Sequence, residues 1–189
     1  MERTTDKTAT ERTEEITRAR IRLKDGRELM VRRFTEGDKD CVAEMMASLS
    51  DEAVEWGMPP YTREILERGW WSRMENLTAL VAVDGDRGAG YAGLRKFSHP
   101  RRRGTSDYLI YLHQDYHNCG LGTAMTKCIV ELARVEGLKR IGLGVVADNE
   151  IAIHVYEKQG FEIEGVFKDA FFGDDGRYHD EVHMGLVLS

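Results

Sequence analysis

The chain has 189 residues, 41% of them apolar, and a formal net charge of −6 at neutral pH, which suits one domain with its own core and no need of disulfides or structural metal. No uninterrupted apolar run approaches the ~20 residues of a membrane span. The acidic balance argues against nucleic acid as the main partner, so the basic run over residues 99–103 is read as a solvated loop first and a phosphate-contact patch second.

Residues 1–17 are polar and threonine-rich and lack the apolar segment of a secretory signal, so a solvated tail is expected ahead of a single domain over 18–189. Cys41, Cys119 and Cys128 cannot pair completely and show no Cys-x-x-Cys spacing, which suits a reducing cytoplasm and argues against structural zinc. Residues 19–34 alternate apolar and polar around Asp25-Gly26, a tight-turn dipeptide, and predict a hairpin. Asp38 can cap a helix running to about Leu49, with Val42, Met45, Met46 and Leu49 on one face. Pro59-Pro60 breaks the chain, and a further helix is predicted over 62–74. The aromatics Trp56, Tyr61, Trp70 and Trp71 around these helices are either core plugs or the lining of a substrate pocket.

LTALVAV and AGYAGLRKF form a second hairpin across the turn at 84–88, and DYLIYLH forms the next strand. Met125, Ile129, Val130, Leu132 and Ala133 recur at helical spacing over 123–136, with Gly137 as the stop. LKRIGLGVV reads as a buried strand. DNEIAIHVYEKQGF reads as a short helix capped by Asp148 or Asn149 and ended by Gly160, and a hairpin across Asp174-Asp175-Gly176 completes the chain. The pattern predicts an α/β (α+β) domain with a mixed, mostly antiparallel central sheet flanked by helices.

The chemistry-bearing stretch is QDYHNCGLGT, residues 114–123, a glycine-rich turn between a strand and a helix. The first N–H groups of a helix lack internal partners and carry partial positive charge, and Gly120 and Gly122 remove Cβ atoms that would hold an anion away from them. Tight packing of strand on helix is the alternative. A Walker loop is excluded by the missing Lys-Ser/Thr pair, and the dinucleotide fingerprint by Met125 at its third glycine. His113 and His117 flank the turn without a third ligand at a recognised spacing, so no metal is expected; Cys119 has no partner arrangement that would make it a nucleophile.

HNCGLG resembles the Gln/Arg-x-x-Gly-x-Gly/Ala turn of the GNAT superfamily of N-acetyltransferases, and DNEIAIHVYEKQGF resembles that family's Asn-x-x-Ala-x-x-x-Tyr-x-x-x-Gly-Phe segment through Asn149, Ala152, Tyr156 and Gly160-Phe161. The similarity covers residues 26–188. His117 replaces the usual Gln or Arg, and Gln114 the usual Pro. The end segments, GRYHDEVHM and RARIRLKDGRELMVRRF, resemble those of phosphinothricin and related amino-acid acetyltransferases.

The resemblance implies the acyl-CoA N-acyltransferase fold and acetyl transfer from acetyl-CoA, a co-substrate, to a primary amine by direct attack in a ternary complex. Such an amine belongs to a small molecule, an amino acid or analogue; a protein N-terminus or lysine, or a non-catalytic acyl-CoA-binding module, are the alternatives. It implies a pyrophosphate site at His117, Asn118, Cys119, Gly120, Leu121, Gly122 and Thr123, and pantetheine beside the strand at Tyr111, Leu112 and His113, reached also by Asn149. Tyr156 would protonate the leaving thiolate; apart from the family it reads as a packed core tyrosine, and Asn149 as a helix cap. Asp107, on the strand before the turn, would take the amine's proton through a water, or else is a solvated edge carboxylate. His179, Asp180 and His183 either reach the acceptor or are alternating exposed residues. A cytoplasmic homodimer with no nucleic-acid or membrane partner is expected.

Overall fold

The computed structural model describes residues 18–188; the tail expected over 1–17 lies outside the described residues. One sheet of eight strands runs in the order β1-β2-β3-β4-β5-β6-β8-β7. Its strands are β1 Arg18–Arg22, β2 Glu28–Arg33, β3 Leu77–Asp84, β4 Arg87–Lys96, β5 Thr105–Leu112, β6 Arg140–Val146, β7 Glu162–Phe172 and β8 Tyr178–Val187. The helices are α1 Lys39–Ala47, α2 Asp51–Val54, α3 Arg63–Arg68, α4 Leu121–Val135 and α5 Glu150–Lys158. The expected mixed, mostly antiparallel sheet flanked by helices is present: among the described pairs only β5 and β6 run parallel, joined through α4.

Strand alternation divides the core between the two sheet faces. On one face Leu121, Met125, Ile129 and Leu132 of α4 pack with Tyr156 of α5 on Tyr108, Ile141, Leu143, Val182 and Met184. On the other, Val42, Met45 and Met46 of α1 and Leu66 of α3 pack on Val81, Tyr91, Leu109 and Tyr111. Tyr108 and Tyr111 thus belong to opposite faces, as residues an odd number apart on a strand must.

The central parallel pair is short. Thr105, Ser106 and Asp107 are opposite Arg140, Ile141 and Gly142, and no pairing follows. From Tyr108 onward β5 keeps its antiparallel partner β4, through Tyr108↔Leu94 to Leu112↔Gly90, while its other edge is open. The sheet therefore forks at its centre.

Three local outcomes differ from the sequence expectation. The helix predicted over 62–74 is only Arg63–Arg68, capped by Thr62 Oγ1 accepting from Ile65 N at 3.3 Å. The N–H groups of Trp70 and Trp71 both donate to Leu66 O, and the chain turns inward, so Trp71 is buried while Trp70 stacks on Tyr91 and Tyr111 at 5.6 and 5.2 Å between ring centroids. Burying the Trp71 indole and stacking the half-buried Trp70 ring outweigh another turn of helix. Asp38 precedes α1 without capping it: its carboxylate accepts from Arg32 at 2.7 and 2.6 Å and from Thr35 N and Oγ1, both at 2.8 Å. α4 begins at Leu121 rather than Thr123, because Gly120 adopts φ +91° and turns the chain directly into the helix.

Leu132 is fully buried where α4 meets the sheet. Leu132→Ala should lower the unfolding free energy by about 2–5 kcal/mol, read from the urea midpoint at unchanged slope.

Candidate active site

Between the arms of the fork lies a cleft of about 620 Å³, within the range of small-molecule sites. Tyr108 to Leu112 of β5 form one wall and Gly144, Val145 and Val146 of β6 the other. Asn149, Ala152 and Tyr156 of α5 close one side, and Glu52, Glu55, Trp56 and Gly57, in α2 and the turn after it, close the opposite side. The turn before α4 contributes His117, Asn118, Gly120, Gly122 and Thr123 at the mouth.

That turn is shaped by two residues in the left-handed region, Asn118 at φ 57° and Gly120 at φ 91°. Among the described residues the main-chain N–H groups of 118–123 have no main-chain acceptor; the first N–H of α4 to be satisfied belongs to Ala124, which donates to Gly120 O at 3.1 Å. Several donors therefore converge at the positive end of a fifteen-residue helix with no acidic residue in its first turn. Lys24, from the β1–β2 turn, lies alongside: a Cβ on Gly120 would be 3.6 Å from its side chain, and Lys24 N donates to Cys119 O at 3.0 Å. The arrangement fits a pyrophosphate.

The expected site residues fall into distinct groups. Tyr111, Leu112, His117, Asn118, Gly120, Gly122, Thr123, Asn149 and Tyr156 all line the cleft. Cys119 and Leu121 are buried and can offer only main chain, with Cys119 Sγ donating to Tyr116 O at 2.9 Å. His113 is buried off the cleft, accepting from Asp115 N at 3.2 Å beside Arg87; its burial first, and Arg87 second, depress its pKa. His117 donates from Nε2 to Leu112 O at 3.1 Å, which fastens its ring to the open edge of β5 where the family's longer Gln or Arg would stand.

Asp107 sits at the closed end of the fork, opposite Gly142, and does not line the cleft. Its carboxylate meets Arg95 at 3.2 Å on the sheet face of Leu109 and Tyr111, whereas Tyr156 is on the other face. Asn149 does cap α5, accepting from Ala152 N at 3.2 Å, and lines the cleft as well. Tyr156 packs edge-on to Tyr108 at 6.0 Å between centroids, and burial pushes its phenol pKa up to about 12. The phenol thus stays protonated throughout the neutral range.

The aromatic alternatives are divided among the residues: Trp71 is core, Trp70 is packed behind Tyr111, and Trp56 lines the cleft. Tyr61 donates to Tyr111 Oη at 2.9 Å and accepts from Met58 N at 2.7 Å, which fixes the turn carrying Trp56. Of the last strand's polar residues, Asp180 is taken by Lys168 at 2.6 Å and His179 by Asp148 at 2.6 Å. The contributions of Lys24, Glu52, Glu55 and Gly144 were not foreseen. Each reaches the cleft across a long sequence separation and belongs to no local motif.

The sequence profile of the Acetyltransferase (GNAT) family matches residues 42–161. An L-amino acid N-acetyltransferase of Escherichia coli (strain K12) is 34% identical over 126 residues, 62% of this chain and 75% of that protein. The spermidine N(1)-acetyltransferase of the same strain is 33% identical over 106 residues, 56% of this chain, so the match spans 55% of that relative's length. Among solved structures, the phosphinothricin acetyltransferase of Sinorhizobium meliloti superposes with TM-score 0.73 at 22% identity, covering 85% of this chain and 89% of that one. A GNAT-family acetyltransferase of Streptococcus pneumoniae does so with TM-score 0.73 at 24% identity, covering 85% and 100%. At these identities the superpositions establish the fold.

Gly120→Val places a β-branched residue at φ +91° and should weaken the affinity for ADP, used as a pyrophosphate probe, by at least about tenfold in calorimetry. Wild-type affinity in a folded variant would remove the turn as the anion site.

Proposed function

The chain belongs to the GNAT acetyltransferase family, and from that premise we propose that it transfers the acetyl group of acetyl-CoA to the primary amine of a small molecule, by direct attack within a ternary complex. The observation that carries this reading is the conjunction of unpaired turn amides, an open β5 edge and a protonated tyrosine along one cleft. Acetyl-CoA, when bound, supplies the acyl thioester.

Residues 117–123 and Lys24 hold the pyrophosphate. The open edge of β5, where the backbone groups of Ile110 and the N–H of Leu112 face away from β4, gives main-chain hydrogen bonds to pantetheine in the manner of an added strand, and an N–H of that edge stabilises charge on the thioester oxygen. Asn149 contacts the pantetheine arm from α5. Tyr156 donates its phenolic proton to sulfur as the C–S bond breaks. Burial raises the proton affinity of a desolvated thiolate as well as of a phenolate, so the two groups remain matched.

The acceptor side of the cleft presents Glu52 and Glu55 beside Trp56 and no Lys or Arg from that segment. This favours an amine whose remaining substituents are neutral or cationic, a polyamine-like acceptor, over an amino acid whose carboxylate would face like charge. Thiol release across a panel of diamines and amino acids tests this: faster turnover of the diamines is expected, and preference for the carboxylated amines would reverse it.

Three free cysteines support a reducing location, for which we propose the cytoplasm. Among the described residues no helix is long and apolar enough to cross a membrane. Exposed Ile163, Val166, Phe172 and Tyr178 on the β7–β8 hairpin support a homodimer, to be checked by light-scattering mass.

Tyr156→Phe should cut kcat on the order of 100-fold while leaving the acetyl-CoA dissociation constant within about threefold. Unchanged turnover would take the acid role from Tyr156.

A further inference from the structure

Acetyl transfer needs a group that accepts the amine's proton, since an alkylammonium has no lone pair with which to attack. Asp107, held by Arg95 at the closed end of the fork, is poorly placed for this. Another carboxylate lies against the cleft wall. On β8, Glu181 and His183 alternate with Val182 and Met184, whose side chains are in the core beneath α4 and α5. Glu181 and His183 therefore stand on the opposite face, the side from which α2 and Trp56 border the cleft.

Their positions follow from register. Glu181 is opposite Val146 and His183 opposite Gly144, both on β6, and Gly144 and Val146 line the cleft. The absence of a side chain at 144 is required: a Cβ there would collide with Glu181 Oε1. The carboxylate thus lies directly over the backbone of the cleft wall. His183 Nε2 is 2.8 Å from Glu181 Oε1, too oblique for a hydrogen bond, and Phe167 of β7 covers the imidazole at 4.0 Å between ring centroids. The Glu181 side chain, 23% exposed, stands just behind the lining of the cleft, with the Cβ-less backbone of Gly144 between them, within reach of a substrate through one water.

Resting on the acetyl-transfer reading above, we propose that Glu181 is the base that takes the proton from the attacking ammonium through a water, with His183, stacked on Phe167 and packed against the carboxylate, as the positioning residue. Tyr156 and Glu181 then stand on opposite faces of the fork. The ammonium N–H bond breaks with its proton going to Glu181; the free amine forms the C–N bond; the C–S bond breaks with its electron pair on sulfur; Tyr156 supplies the proton that makes the thiol. Solvent reprotonates Tyr156 and receives the proton from Glu181, so one proton is released per acetyl transferred. The titratable groups sharing Glu181's face on its strand are His183 and His179, the latter fixed by Asp148 at 2.6 Å and Asp175 at 3.1 Å. From the packed elements, Arg140 of β6 and Glu164 of β7 pair with each other over Gly185 on the same face, and Glu52 and Glu55 border the cleft from the α2 side.

The test compares full-length wild type and Glu181→Gln by thiol release, with one alkylamine that is protonated at pH 7.5 and one low-basicity amine that is neutral there. Glu181→Gln should lose about 100-fold in kcat on the alkylamine, recover about tenfold per unit as pH rises toward the amine's own pKa, and lose less than about threefold on the neutral amine. Acetyl-CoA affinity should be kept, and Glu181→Asp should restore part of the rate. Equal losses on both amines, or kcat within about threefold of wild type on the alkylamine, would overturn the assignment. If Glu181→Gln does not fold, His183→Gln is measured in the same way: a loss confined to the protonated amine is expected, and no amine dependence overturns the proposal. Failure of wild type to turn over any amine would instead strike the acetyl-transfer reading itself.

Discussion

Everything about the cleft depends on β5 and β6 pairing for three residues and then parting. A strand at the centre of a sheet normally satisfies both edges, and a backbone polar group buried without a partner costs about 1–3 kcal/mol. β5 leaves one edge open from Tyr108 to Leu112 in the middle of an eight-stranded sheet. His117 Nε2 answers Leu112 O, and water or an extended ligand must answer the rest. The fork is thus a binding site before any side chain is considered, and the residues around it decide what kind.

The two sheet faces make different contributions. On the α4 side the turn amides, Lys24 and Asn149 converge on one end of the cleft, an arrangement suited to a polyanionic, extended ligand, and buried Tyr156 keeps its proton nearby. On the other side Trp70 stacks on both Tyr91 and Tyr111, while Tyr61 clamps Tyr111 and the main chain of Met58. This aromatic assembly holds the turn bearing Trp56 against the open strand, so the acceptor side is rigid without help from a long helix. Buried Trp71 Nε1 and Tyr91 Oη find no hydrogen-bond partner among the described residues. Their burial costs polar satisfaction, which the apolar contact among the packed aromatic rings offsets.

Most of the architecture was legible in the sequence because it is written in local terms. Alternation gave the strands, Asp25-Gly26 and Asp174-Asp175-Gly176 gave their turns, and the spacing of Met125, Ile129 and Leu132 gave α4. Residues of the glycine turn and α5 that share a motif with the family were likewise found in the cleft. What escaped was non-local. The halting of α3 at Arg68 is decided by where the Trp71 indole can be buried and Trp70 stacked, and the displacement of Asp38 from its cap by an arginine on a neighbouring strand. The position of Asp107 follows from β-register, since a shift of one residue moves a side chain to the other face. Gly144 and Glu181 are linked only through the β6–β8 pairing, and no spacing within either segment hints at it.

The bond from Lys24 N to Cys119 O joins the opening hairpin to the ligand-gripping turn across 95 positions of sequence. A ligand that ordered this turn would also hold the hairpin closed, and by reciprocity the closed hairpin would tighten the ligand by the same free energy. The first two strands, at the edge of the sheet and outside the fork, would then be a thermodynamic partner of the cleft, joined to it by this one main-chain bond.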